Sequence, residues 1–398
     1  VFVDGALLFW AVIRAHWLDL GGPSPADLRR AQSDSYGEGI RIPPLKIIAA
    51  GEPCDDVMRL YFNNIRFPQQ QHSDMLAMIA AAEIAGRPLS VLLVQVDKAP
   101  DLWRETLDQV GAACADGMAV TAQVGSRAIG VLMGLEATMH PFTSHPLWLA
   151  MAGLSPRERF NRLRDDAELR RRLVTERPDD DTVRMMETAL RRTFELDGAV
   201  DYEPAPEQSI AARARAQGRD PFDLALELMM RDDGQALLLH PFENYCGGDL
   251  EVVKEMLQDP NTVCGVADAG AHVGLICDAS SPTSLLTHWG RDRKRGEKLS
   301  LEFLVRKQTR DTARTYGLMD RGVIARGYKA DLNLIDFQAL RLLRPKLVYD
   351  LPAGGKRIIQ KAEGYRHTFV SGVEVMRDGE ATGELPGQLL RGAQSAPG

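Results

Sequence analysis

Four short apolar runs, each coupled to an amphipathic segment of helical period, constrain this chain more than any other feature. "PLSVLLVQV" is followed by "PDLWRETLDQVGAACADG", and then by a second run, "MAVTAQV". Further on, "QALLLH" precedes "DLEVVKEMLQD", and "NTVCGVAD" precedes a loop and the segment around "PTSLLTHW". Buried strands alternating with helices of ten to fifteen residues indicate parallel β/α units with helices covering the sheet. The expected fold class is therefore α/β.

Two regions depart from that alternation. Residues 145–232 are dense in charge of both signs, as in "SPRERFNRLRDDAELRRRLVTERPDDDTVRMMETALRRTFE". Mixed charge at helical spacing reads as a wet helical insertion, with a lid or partner surface as the alternative. "DPFDLALELMMRDDG" then returns to the core as a helix, with Asp220 placed as its N-cap. From about residue 321, "GVIARGYKADLNLIDF" and "HTFVSGVEVMRDGE" are short alternating strands separated by Gly and Asp-Gly turns. They predict a small β domain over residues 321–398.

At 398 residues, with 44% hydrophobic and 26% charged residues, the chain has enough apolar material for one large α/β domain plus an appendage. The formal charge of −7 supplies no field for phosphate backbones, which argues against nucleic acid as a partner. The five cysteines lie far apart without a C-x-x-C, a pattern of reduced thiols expected in a cytoplasmic protein. "VFVDGALLFWAVIRAHWLDL" is apolar, but Asp4, Arg14, His16 and Asp19 interrupt it, so no membrane span is expected. No positive charge precedes it, as a secretory signal requires.

Chemistry is expected where parallel strands end, because the following loops converge there. The run ends carry Gln95, Gln123, His240 and Asp268. Asp268 stands in "GVADAGAHVGLICDAS", where Ala269, Gly270 and Ala271 leave room for a substrate. A carboxylate so placed can hold a divalent metal and take a proton from water, or serve as a plain turn or N-cap residue. Sequence spacing alone leaves both open. No P-loop, G-x-G-x-x-G, G-x-S-x-G or H-E-x-x-H occurs, so nucleotide, serine-hydrolase and zincin chemistries lack support.

The stretches "GVADAGAHVGLICDASSPTSLLTHWGRDR", "RKQTRDTARTYGLMDRGVIARGYKADLNLIDF" and "DLPAGGKRIIQKAEGYRHTFVSGVEVMRDGEATGELPGQLLRG" resemble the C-terminal half of the N-acyl-D-amino-acid deacylases of the amidohydrolase superfamily. "GRPLSVLLVQ", "VTAQVGSRAIG" and "HPF" resemble one branch of that group. The resemblance runs from about residue 72 to the end. It implies a zinc-dependent, TIM-like (β/α)8 barrel of the metal-dependent-hydrolase type over 71–320, with the helical insertion at about 145–232. A small β-sandwich built from both chain termini would cover 321–398. Asp268 occupies the place of the family's metal-linked acid/base. Arg291 or His288, on the loop that follows, stands where the family holds the substrate carboxylate.

Departures from the family pattern are equally definite. No two histidines are two apart, so the H-x-H of the first barrel strand is missing, and where the family has "SHxK" this chain has "LVQV" and hence Gln95. An amide is a poor substitute for imidazole toward zinc. Residues 1–70 do not resemble the family, as a divergent, truncated or frame-shifted start would explain. His240, directly before "PFENYCGG", is the remaining ligand candidate besides Asp268, and His272 is expected to support the loop by hydrogen bonding. His140 and His145, five apart, suit structural roles.

The expected activity is zinc-dependent hydrolysis of the amide bond of N-acyl-D-amino acids, a small-molecule substrate class, by a chain that can form homo-oligomers. Two alternatives stand beside it. One is a non-catalytic paralogue or fragment without the metal site, and the other a hydantoinase-like hydrolase of cyclic amides.

Overall fold

In the computed structural model, residues 88–196, 198, 200–267, 270 and 272–398 are described throughout; before them only Phe2–Val3, Ala6–Leu7, Ile48–Ala49 and Glu52–Pro53 are. The chain divides into two compact units, Val1–Ala80 and Ala81–Gly398. In the first, β1 (Phe2–Val3) pairs antiparallel with β2 (Ala6–Leu7), and β3 (Ile48–Ala49) with β4 (Glu52–Pro53).

The second unit opens with the parallel units expected from the sequence. β5 (Leu89–Leu93) leads through α1 (Leu102–Ala115) to β6 (Val120–Gly125), and the two strands pair in parallel with Leu92 opposite Gln123. Much later, α2 (Glu251–Gln258) leads into β10 (Thr262–Gly265), which lies parallel on the other side of β6. Val91, Leu93, Val120, Ala122 and Val124 are buried, and α1 contributes buried Trp103, Val110 and Ala113. The opposite face, with Ser90, Leu92 and Gln123, is more open, and Leu92 is 46% exposed. Lys307 locks the far edge, donating to the Asp259 and Thr262 carbonyls at 2.8 and 2.7 Å.

A second sheet corrects one expectation. β7 (Ile129–Met133), β8 (Phe194–Glu195) and β9 (Leu238–Glu243) form an antiparallel sheet in the order β7-β9-β8. The "QALLLH" run is therefore not a fourth parallel strand. Pro241 is tolerated in this central strand because β8 pairs only with Leu238 and Leu239, so no ladder needs an N–H at 241. The described strands do not close a barrel: the parallel part has three strands.

Between β7 and β9 the charged insertion folds as short capped helices. Ser155 and Glu158 form a capping box for Pro156–Asp165, and Asp166 and Asp180 cap the next two. Asp220 caps Pro221–Met229 through the Phe222 N–H at 2.8 Å, as expected. These helices are wet on one side only. Leu163, Leu173, Met186, Ile210, Phe222 and Met229 join Met133 and Leu238 in one buried cluster. His140 and His145 serve locally, their Nδ1 atoms accepting from Phe142 and Leu147 N–H groups.

The C-terminal part is all β. Leu332–Ile335, Tyr365–Val370, Val373–Arg377 and Glu380–Ala381 make a four-stranded antiparallel sheet, beside two two-stranded ladders. Leu334 in its edge strand is 57% exposed.

Candidate functional site

Beyond the C-terminal ends of the three parallel strands, the chain converges on one residue. Asn244 follows β9 directly and is fully buried, with φ of 60°, a left-handed conformation that asparagine tolerates better than most residues. Its backbone N–H donates to the Gln95 carbonyl at 2.9 Å, and its Oδ1 accepts from the Gln95 N–H at 2.8 Å. Its Nδ2 donates to the Arg127 carbonyl at 3.4 Å. One side chain thus ties the segments leaving β5 and β6 to the end of β9. The approach depends on glycine at the end of β6: a Cβ on Gly125 would stand 3.3 Å from Asn244 Nδ2 and 3.6 Å from the Val266 Cβ.

Val266 itself, the residue after β10, has φ of 58°. A β-branched residue in the left-handed region is strained by about 1–3 kcal/mol and persists only where its surroundings hold it. The strain sits two residues before Asp268. Asp268, Ala269 and Ala271 lie outside the described residues.

Polar groups crowd the mouth so defined. Gln95 is buried, its Oε1 accepting from the Cys246 N–H at 3.2 Å and its Nε2 donating to the Pro100 carbonyl at 3.3 Å. The Cys246 thiol donates to Asp97 at 2.9 Å, and burial followed by that bond pushes it up to about 12, so it is no thiolate. Arg192 pairs with Asp97. Arg127, 2% exposed, donates to Asp278 at 3.0 Å and the Cys277 carbonyl at 2.8 Å and stacks 3.7 Å over the Tyr202 ring. Trp289 anchors the helical stretch Leu285–Asp292 here, donating to the Ser126 carbonyl at 2.7 Å.

Glu243 is the carboxyl of this group that is displaced upward. It ends β9, its backbone bridges to Val96, and its carboxylate accepts no hydrogen bond from any described residue. Burial first, then the charges of Asp278 and Asp97, push its carboxyl up to about 7. A carboxyl that exchanges its proton near neutrality is suited to acid/base work. The apolar run ends at His240, whereas β9 continues to Glu243, so Glu243 and Asn244 of "HPFENYCGG" lie beyond the expected strand end.

The other expected site residues are dispersed. Gln123 lies within β6, not at its end, and donates to Ser90 Oγ at 2.8 Å. His240 lies inside β9, with Nδ1 3.2 Å from Thr193 Oγ1, and burial, aided by Arg192, pushes it down to about 4. His272 has φ of 47°, and its carbonyl accepts from the Leu275 and Ile276 N–H groups, which shapes the loop. His288 pairs at 3.1 Å with buried Glu203, which also holds Arg293. All five donors of Arg291 are taken by Asp292 and by the carbonyls of Phe337, Gln338 and Leu340. Both cations expected at the substrate carboxylate are therefore engaged elsewhere.

Among the described residues no group of three or more His, Cys, Asp and Glu side chains could hold a metal ion. With the Gln95 amide and the His240 ring both occupied, the described donors do not fit the zinc implied by the resemblance. Nor is any described helix long and apolar enough to cross a membrane.

Comparison with known proteins separates the two ends of the chain. Residues 1–123 match the family Hydantoinase B/oxoprolinase, and residues 65–376 match the Amidohydrolase family. The chain is 40% identical over 93 residues to caprolactamase subunit beta of Pseudomonas jessenii, covering 23% of this chain and 16% of that protein. It is 40% identical over 100 residues to the N-acyl-D-aspartate deacylase of Alcaligenes xylosoxydans xylosoxydans, covering 25% and 18%. A D-aminoacylase crystal structure aligns over 79% of this chain and 52% of its own, at 18% identity and a TM-score of 0.41. The chain thus spans under a fifth of these two curated relatives and about half of that solved structure. With more than three quarters of its length matched, and with the strand-end mouth described above, this chain belongs to the amidohydrolase family.

Proposed function

We propose that the chain hydrolyses the amide bond of N-acyl-D-amino acids, releasing a carboxylate and the free D-amino acid. The observation that supports this reading most is the convergence, at one end of the parallel sheet of an amidohydrolase-family chain, of strained Val266 leading into Asp268 with the buried polar mouth around Asn244. In this reading Asp268 takes the proton from the attacking water and passes it to the leaving nitrogen. Zinc belongs to the same reading, with Asp268 and His240 as the side chains assigned to it, but the described donors do not complete its coordination and no step is derived through it.

Hydrolysis of cyclic amides is the second reading, favoured by the match of residues 1–123 to Hydantoinase B/oxoprolinase. One panel separates the two. The full chain, supplied with zinc, is incubated with N-acetyl-D-methionine, N-acetyl-D-glutamate, a 5-substituted hydantoin and caprolactam, and products are resolved by chromatography. Release of free D-amino acid supports the first reading, and turnover of the cyclic amides alone replaces it with the second.

A further inference from the structure

We propose that Gln360, from the C-terminal β part, is a positioning residue of the mouth. It fixes the two groups that hold the Arg127 guanidinium, and Arg127 in turn holds the loop 277–280 against the end of β6. The inference stands on contacts within the second unit and is independent of the reaction catalysed. Gln360 directly follows the strand Gly355–Ile359, which pairs antiparallel with Lys346–Leu351. This hairpin docks on the core. Ile358 is buried in a cluster with Leu132, Leu239, Tyr202 and Cys277, and its N–H donates to the Val273 carbonyl at 2.7 Å.

Docking leaves the Gln360 amide facing two ways. Its Nε2 donates to the Leu343 carbonyl at 2.9 Å, within the β part. A carbonyl only accepts, so this bond fixes which end of the amide faces the core. That end is Oε1, which accepts from the Tyr202 hydroxyl at 2.9 Å and from the Ser280 hydroxyl. The same two residues flank Arg127. Its Nη1 donates to Ser280 Oγ at 3.1 Å, and its guanidinium lies 3.7 Å from the Tyr202 ring centre. Arginine has no acceptor, so Ser280 can serve it only with a lone pair, and the serine proton needs another acceptor. Gln360 Oε1 is that acceptor. With both supports set, Arg127 Nη2 reaches the Cys277 carbonyl at 2.8 Å and Asp278 at 3.0 Å. The Arg127 carbonyl accepts from Asn244 Nδ2 at 3.4 Å. An unbroken chain of bonds thus runs from the β part through Ser280 and Arg127 to Asn244. Arg127, Tyr202, Cys277, Asp278 and Ser280 are all buried, where a lost bond is not replaced by water.

Labelling of the Cys277 thiol in the full chain tests this without a substrate. The protein is treated with iodoacetamide in native buffer, and modification of Cys277 is followed by peptide mass spectrometry. A denaturant titration of each variant supplies its unfolding constant. Cys277 is 8% exposed, so its labelling requires opening of the loop or unfolding of the whole. Gln360→Leu removes the shared acceptor and should speed Cys277 labelling about tenfold or more beyond the change in the unfolding constant. Gln360→Glu retains oxygens for the Tyr202 and Ser280 hydroxyls and should label close to the wild-type rate. Arg127→Lys keeps the charge but loses the planar fork, and in that background Gln360→Leu should add less than about twofold, because its effect runs through Arg127. Ser280→Ala, which cuts the link between Gln360 and Arg127, should act in the same direction as Gln360→Leu and serves if that variant does not fold. Labelling that rises only in step with the unfolding constant would make Gln360 a purely structural residue and overturn the proposal. So would a Gln360→Glu variant that labels as fast as Gln360→Leu, or a full Gln360→Leu effect in the Arg127→Lys background.

Discussion

Glu203 grips Arg293 with both carboxylate oxygens, at 2.8 and 2.9 Å, in a site where both residues are almost fully buried. Glu203 comes from the loop after β8, within the helical insertion, and Arg293 from the segment after the Leu285–Asp292 helix, so the pair fastens the insertion to the core. Burial alone would raise the Glu203 carboxyl. The bonds from Arg293, His288 and the Leu250 N–H outweigh that and hold it at about 2.

Removing one partner of this pair is expected to be costly. Glu203→Gln leaves the buried Arg293 charge with only the exposed Glu251, 2.9 Å away, as its anion, and should destabilise the protein by about 3–5 kcal/mol. The pH dependence follows from the depressed carboxyl. The unfolded state binds more protons between the ordinary value of 4.5 and about 2, so this contribution is complete above pH 4.5 and lost as pH falls toward 2. Denaturant unfolding of wild type and variant checks both points: the difference should be largest above pH 5 and shrink in acid. A difference independent of pH would contradict the assignment.

Val266 makes the opposite kind of prediction. Its left-handed backbone is a cost that glycine does not carry, partly offset by the freedom glycine gains when unfolded. Val266→Gly should raise unfolding free energy by roughly 1 kcal/mol, because the left-handed conformation no longer strains the backbone. A destabilised variant would show that the conformation is not strained.

How much of this was legible in sequence depends on what each feature encodes. The pairs β5–α1–β6 and α2–β10 are legible because hydrophobic period and helix ends are local properties. Strand direction is not local, so "QALLLH" reads like the parallel runs although it pairs antiparallel with β7. The stretch 155–195 reads as wet because its charges outnumber its apolar positions, yet Leu163, Leu173 and Met186, one in each of its three helices, are fully buried. In the candidate site the strand-end rule leads to Gln95 and the segment after β10. It misses Asn244, whose place comes from bonds to Gln95 and Arg127, more than a hundred residues away in the chain.

Asp268→Asn should abolish hydrolysis, with a loss of roughly 10²-fold or more, while the fold persists. The change is nearly isosteric but removes the proton acceptor. Steady-state kinetics beside an unchanged circular dichroism spectrum is the check, and turnover within a few-fold of wild type would remove Asp268 from the acid/base role.

Metal content provides an independent reading. A catalytic zinc site normally has three protein ligands, and the described residues bring no three candidates together. After exhaustive dialysis the chain should retain well under one equivalent of zinc by elemental analysis. A full, tightly held equivalent would mean that donors outside the described residues complete the site.

The central claim is hydrolysis of N-acyl-D-amino acids, and the most direct test is the ratio of kcat/KM for N-acetyl-D- and N-acetyl-L-methionine, measured on one preparation of the full chain with added zinc. Where the site also holds the α-carboxylate, besides the attacking water and the leaving nitrogen, it accepts the side chain on one side only, and the wrong enantiomer should lose at least ~2 kcal/mol, or about 30-fold. The account predicts release of the free D-amino acid with that preference. Equal rates for the two enantiomers, or release of the L-amino acid alone, would contradict it.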